Sequence, residues 1–166
     1  MIVNPYMNSI FSSKLTYLSA NLTVAFLAVA SLGHLAAQST VTLPMKVDSD
    51  ISGVSVELTA VQKTGDTIIV RFKYINPGEK PADIHAQIQG QVYNLIYYVD
   101  TKNKKKYLVV RDTQNNPLCS SMQDLSVSPG ETKSCWAKFP APPSDVTAIS
   151  VYVPGAPPFE NVPITQ

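Results

Sequence analysis

The sequence predicts an all-β fold, an antiparallel β-sandwich of about seven to eight strands, and three observations predict it. Short apolar stretches alternate with polar residues at a period of two, and turn residues separate one stretch from the next. Past the first forty or so residues, no stretch sustains the 3.6-residue period of an amphipathic helix. Charged residues are only 15 % of the 166, and prolines number 13, a composition suited to strands and turns.

The N-terminal segment is set apart first. An apolar run from Leu22 to Leu35, broken only by Thr23, Ser31, Gly33 and His34, has the length of a signal-peptide core and is short for a membrane span. Lys14 precedes it as the sole charge before Lys46, and the small residues Ala36 and Ala37 follow it. Residues 1–37 therefore read as a signal peptide cleaved after Ala37, the competing reading being an uncleaved anchoring helix. Cleavage removes Lys14, one of 13 basic residues, and leaves 12 against 12 acidic ones. A formal charge of zero argues against a global affinity for nucleic acid or anionic membranes. The expected product is periplasmic or secreted, with no stable membrane span. Residues 38–52 read as a lead-in and residues 53–166 as the sandwich, long enough for one core.

The elements follow in order. Val54, Val56, Leu58 and Ala60 alternate with Ser55, Glu57 and Thr59, the pattern of a half-buried strand. After the turn Thr64-Gly65-Asp66, Ile68, Val70, Phe72 and Tyr74 share one face of a strand while Arg71 and Lys73 share the other. Asn76-Pro77-Gly78 is a strong turn. The next stretch, Glu79 to Gln91, is the least patterned and predicts a weak strand or a crossover. Val92–Asp100 and Lys106–Asp112 flank a lysine-rich turn and read as a hairpin, and a short strand is expected near Cys119. The Pro129-Gly130 turn launches a strand through Trp136, and Val146–Val153 forms the next. Pro140, Pro142 and Pro143 close the first of these two strands and Pro154, Pro157 and Pro158 the second, because proline cannot donate to a ladder. Both clusters also satisfy the P-x-x-P spacing of polyproline ligands, yet Phe159, Val162 and Ile164 read as anchors of a docked terminal segment. This strand spacing fits an immunoglobulin-like arrangement, with a small barrel as the competitor.

Two cysteines in an exported chain, Cys119 and Cys135, predict one disulfide worth about 3 kcal/mol. Trp136 directly follows Cys135, so the two point to opposite faces and the bond would staple a loop or a sheet edge. His85 is the only histidine after the signal segment and there is no Cys-x-x-Cys spacing, so a catalytic triad, a metal site and a cofactor are not indicated. The carboxylates, among them Asp66, Asp83, Asp100, Asp112, Asp145 and Glu160, sit mostly at turns or strand ends, where Asp serves turn chemistry. Asp48 and Asp50 are close enough to offer oxygen ligands to calcium, without resembling a dedicated loop.

Two sets of candidate contact residues remain. Lys102, Lys104, Lys105 and Lys106 would meet an anionic partner, or would form a solvated hairpin tip that discourages edge pairing. Tyr93 and Tyr97 share one strand face and Tyr98 takes the other, so at least one tyrosine belongs to the core. An exposed tyrosine face, with Tyr97 or Tyr98 on it, would suit carbohydrate or protein.

The stretches "KKYLVVRDTQNNPLCSS" and "SPGETKSCWAKFPAPPSDVTAISVYVPGAPPFENVPI" resemble a family of exported bacterial immunoglobulin-like domains. The likeness spans about Val54 to Ile164 and is most specific in "WAKFPAPP" and "PFENVPI". It implies an envelope or secreted β-sandwich, found in some members ahead of an OmpA-like peptidoglycan-binding domain, and it carries over no catalytic residue. The expected function is a non-enzymatic binding or structural module of the cell envelope whose partner is an envelope protein or a surface polymer. The alternatives are an inhibitor or immunity-type protein acting on an envelope enzyme, and a hydrolase using scattered carboxylates.

Overall fold

In the computed structural model of the chain, residues 41–51, 53–87, 92–122 and 125–166 are described; the expected signal peptide, residues 1–37, lies outside them. Among these residues ten strands form: β1 (Met45–Asp48), β2 (Ser55–Thr64), β3 (Thr67–Ile75), β4 (Ala82–Asp83), β5 (Tyr97–Asp100), β6 (Lys105–Leu108), β7 (Ser126–Val127), β8 (Thr132–Pro140), β9 (Ala148–Tyr152) and β10 (Phe159–Pro163). They build one four-stranded sheet in the order β1-β2-β3-β8, a second in the order β10-β9-β5-β6, and the small pair β4-β7. All the strand pairs are antiparallel, so the all-β expectation holds.

The cleanest alternation in the sequence makes the centre of the first sheet. On β3, Ile68, Val70, Phe72 and Tyr74 are fully buried while Arg71 is exposed. A one-residue slip of β3 would put Arg71 and Lys73 in the core, so burial fixes the register. β2 and β3 are joined through Gly65, whose positive φ of 60° suits a residue without Cβ. A bulge between Leu58 and Ala60 then restores the inward face at Val61.

The inner faces of both sheets feed one core. Val56, Leu58, Phe72 and Phe139 come from the first, and Tyr98, Ile149, Val151, Phe159 and Val162 from the second. Two tyrosines tie this core to the chain around it. The Tyr98 ring meets Phe139 edge-on at 5.5 Å and its hydroxyl donates to the Pro140 carbonyl at 2.8 Å. The Tyr74 hydroxyl donates to the Pro154 carbonyl, also at 2.8 Å. Burial raises both phenols well above their ordinary pKa. The turn at Asn76 is held from within: its buried amide donates to the carbonyls of Lys80 and Val127, and its Oδ1 accepts from Gly78 N–H.

Several boundaries differ from the expectation, each for a physical reason. The lead-in contributes β1, whose Met45 and Val47 pair with Leu58 and Val56 and pack against the core. Val92–Leu95 is a 3₁₀ turn, and the strand begins only at Tyr97. The unpatterned stretch holds one helical turn, Ile84–Gln87, pinned by the fully buried Ile84. The hairpin's second strand stops at Leu108. Beyond it the chain folds back, Arg111 bridging Pro117 and Leu118 N–H donating to the Val110 carbonyl. At the terminus, Phe159 and Val162 are fully buried and Thr165 runs beside β2, donating to the Val61 carbonyl and accepting from Lys63 N–H. The proline-rich end is thus a docked strap that bears on both sheets.

Candidate functional site

The hairpin β5–β6 carries most of the predicted contact residues, and its alternation separates them. Asp100 at the end of β5 is fully buried, and its carboxylate accepts from the Asn103 backbone N–H at 3.0 Å and the Asn103 amide at 2.7 Å. That cap orders the turn, in which Lys104 takes a positive φ of 54°. Lys102 leaves the tip to pair with Asp145 at 2.6 Å, which holds the Asp145 carboxyl below its usual range. Lys105 reaches over the buried Tyr107 ring at 4.8 Å, and Lys106 over Tyr97 at 3.5 Å. Lys102, Lys105 and Lys106 therefore reach three different partners, Asp145, Tyr107 and Tyr97, and do not act together as one patch.

The tyrosines divide in the same way. Tyr98 is fully buried and stacks on Tyr107 at 4.5 Å, so it belongs to the core and not to a contact surface. Tyr97 faces outward on the second sheet and stacks on Tyr152 of the neighbouring β9 at 4.4 Å, with the planes 13° apart. With Tyr152 on one side and the Lys106 ammonium over its ring, Tyr97 offers no free ring face. Beside it Leu108 is 58 % exposed.

Cys119 and Cys135 are free thiols in the structure, where a disulfide was expected. The register gives the reason. Cys119 sits opposite Ala137 across an antiparallel bridge, so Cys135 is its diagonal neighbour on the same face of β8. Diagonal pairs lie about 7–8 Å apart, too far for an undistorted disulfide. Burial pushes the Cys135 thiol up to about 11 and raises Cys119 as well, so neither is an activated nucleophile. His85 is exposed on its helical turn. Among the described residues no three His, Cys, Asp or Glu side chains come together as metal ligands.

The outer face of the first sheet holds what the sequence reading passed over. Ser134, Trp136 and Lys138 alternate outward from β8 between the buried Cys135, Ala137 and Phe139. The β3–β8 register sets Trp136 directly opposite Arg71, and Ser134 opposite Lys73. Behind Trp136, its backbone N–H donates to Ser120 Oγ and its carbonyl accepts from Ser120 N–H, each at 2.9 Å. Thr59 Oγ1 donates to the Arg71 carbonyl at 3.1 Å. Together Thr59, Arg71, Lys73, Ser134 and Trp136 line a groove of about 260 Å³. The indole is 38 % exposed. Lys73 is paired with Glu57 at 3.3 Å, whereas the Arg71 guanidinium, exposed beside the indole, makes no ion pair among the described residues.

The sequence carried half of this signal, since alternation put Arg71 and Lys73 on one face and turned Trp136 away from Cys135. Missing was the pairing of β3 with β8, two strands about sixty residues apart, which brings the halves together. No protein-family model, curated protein or solved structure matches the chain.

Proposed function

We propose that the chain is an exported, non-enzymatic immunoglobulin-like β-sandwich of the bacterial cell envelope, and that it binds a surface polymer through the outer face of β1-β2-β3-β8. The apolar run ahead of Ala37 supports export, and two antiparallel four-stranded sheets around one core support the sandwich. One observation carries the binding reading: an exposed indole opposite a guanidinium that makes no ion pair among the described residues, in a groove that also offers hydroxyl groups. A polymer fits this face better than a protein does. Among the described residues Trp136 is the one large apolar side chain exposed in that groove, with charged and hydroxylated neighbours, whereas the centre of a protein–protein interface is depleted of charge. A groove of about 260 Å³ is just under the roughly 300–1,000 Å³ of small-molecule pockets, the size for one unit of a chain.

The test is capture of envelope polymer on immobilised protein, comparing the unaltered chain with Trp136→Ala and with Tyr97→Ala. Retention that depends on Trp136 and not on Tyr97 is the expected result. Equal capture by the Trp136 variant, or loss with the Tyr97 variant alone, overturns the assignment to this face. N-terminal sequencing of the protein from its own host checks export; a mature chain still beginning at Met1 or Met7 overturns it.

A further inference from the structure

A second groove, of about 320 Å³, lies on the same outer face toward the far end of β1 and β2, lined by Lys46, Asp48, Ser49, Ser55 and Pro77 among others. Registers connect the two. Trp136 pairs with Arg71; the next outward row runs Ser134, Lys73, Glu57, Lys46; the row after it runs Thr132, Ile75, Ser55, Asp48. Ser55 thus lies two strands and two outward rows from Trp136, about 10 Å across the sheet and about 13 Å along it. The Lys73–Glu57 ion pair stands between the two grooves.

Ser55 supplies an independent observation. It is only 6 % exposed, and its hydroxyl is buried with no hydrogen-bond partner among the described residues. Buried hydroxyls are nearly always paired, so one without a protein partner at the wall of a groove is open to a hydrogen bond from water or from a ligand that enters the groove. The charges of the two ends differ. Around Trp136, Arg71 and Lys138 project outward without an ion pair among the described residues, while Lys46 and Asp48 balance each other in the Ser55 groove.

We infer that the two grooves are subsites for one anionic glycan chain. Resting on the binding role proposed above, this names the ligand: a sugar ring lies against the Trp136 indole with its carboxylate or sulfate on Arg71, and a further unit donates or accepts a hydrogen bond at Ser55. The guanidinium fork suits a planar carboxylate or a sulfate, the indole suits the C–H face of a ring, and the balanced Ser55 groove takes neutral hydroxyls. A separation of this length requires an extended ligand.

Trp136 is the only tryptophan in the chain, so its emission reads the first groove without a label. The experiment titrates the full chain with short and long oligogalacturonates, dextran sulfate, neutral dextran and poly-glutamate. A blue shift is expected with one or both anionic glycans, the more effective one identifying carboxylate or sulfate, and it weakens as salt is raised. Arg71→Ala lowers affinity about tenfold, and Arg71→Lys recovers only part of it. Ser55→Ala weakens the long oligomers a few-fold and leaves the shortest unchanged; Ser55→Thr, which fills the groove, does the same. Binding of neutral dextran or poly-glutamate as tight as that of the glycans overturns the ligand class. Unchanged length dependence in both Ser55 variants overturns the second subsite. No response to either anionic glycan overturns the inference, and Trp136-dependent capture from envelope extract would then leave the broader binding role standing.

Discussion

The two outer faces of the molecule carry similar residues and make opposite use of them. On β10-β9-β5-β6 the tyrosines of β5 and β9 stack on each other and Lys106 covers Tyr97, so ring faces and cation are consumed within the protein. On β1-β2-β3-β8 the indole of Trp136 stands beside Arg71, which has no ion pair among the described residues, above an open groove. An aromatic-and-lysine composition does not by itself make a binding surface. What decides is whether cross-strand register hands a group an intramolecular partner, and here it does so for Tyr97 on one sheet, and for Lys73 but not for the Arg71 charge on the other.

The largest effect expected separates the two sides of β5. Tyr98→Ala removes a fully buried ring with its contacts to Tyr107 and Phe139 and its hydrogen bond to Pro140, and should cost about 3–5 kcal/mol. Tyr97→Ala, one residue earlier, should cost about 1 kcal/mol. Denaturant unfolding of both variants checks this; equal losses would mean that the outer tyrosines are part of the core after all. Next in size is the coupling of the outer pair. A double-mutant cycle on Tyr97 and Tyr152 should return about 0.5–1.5 kcal/mol of interaction. Trp136→Ala should lower stability by no more than about 1 kcal/mol, while abolishing polymer capture. A cycle near zero would break the contrast between a self-satisfied face and an open one.

The thiols give a smaller and sharper reading, because Cys135 backs directly onto Trp136. In the native state an alkylating reagent should modify the half-buried Cys119 first and Cys135 only on unfolding. The raised pKa of Cys135 stabilises the folded protein below the ordinary value of 9.0, and that contribution is lost as pH rises toward about 11, so alkylation should be run well below this window. We propose that an oxidising compartment closes the pair by exchange with a disulfide donor, drawing residues 118–120 along β8. Protein recovered after export that shows two free thiols when unfolded would rule this closure out.

How much of this was legible follows from range along the chain. Alternation within β3 was local, so the inward set Ile68 to Tyr74 could be read directly, whereas in β8 it separated Cys135 from Trp136 without telling which of the two faces the core. The anchoring of Phe159 and Val162 was legible for the same reason, each being an apolar residue beyond a proline corner. β1 was missed because Met45 and Val47 in four residues give too few alternations to distinguish a strand from a lead-in. The strand expected from Val92 began instead as a 3₁₀ turn, since an apolar run has no period to separate the two. Of the candidate site, the lysines were grouped by adjacency in sequence, but successive residues of a strand face opposite ways. The Trp136–Arg71 pair depends on which strands are neighbours, and that is set by the packing of the whole core.

The smallest effect tests the hairpin tip, where one predicted contact lysine is tied to another part of the surface. Lys102 hydrogen-bonds to the Asp145 carboxylate, and that bond with its ionic attraction lowers the Asp145 pKa below 3.8. A lowered folded-state pKa gives stability that is present above the ordinary carboxylate value and disappears as pH falls through the folded one. The pair is exposed, so the change in stability should be barely measurable, but the pKa itself is a sensitive reporter. A ¹³C NMR titration should show Asp145 returning toward 3.8 in Lys102→Ala and remaining depressed in Lys104→Ala, because the side chain that lowers the Asp145 pKa is that of Lys102. If both variants shift Asp145 equally, the lysines act as one diffuse positive field, and the tip regains its standing as a surface for anions.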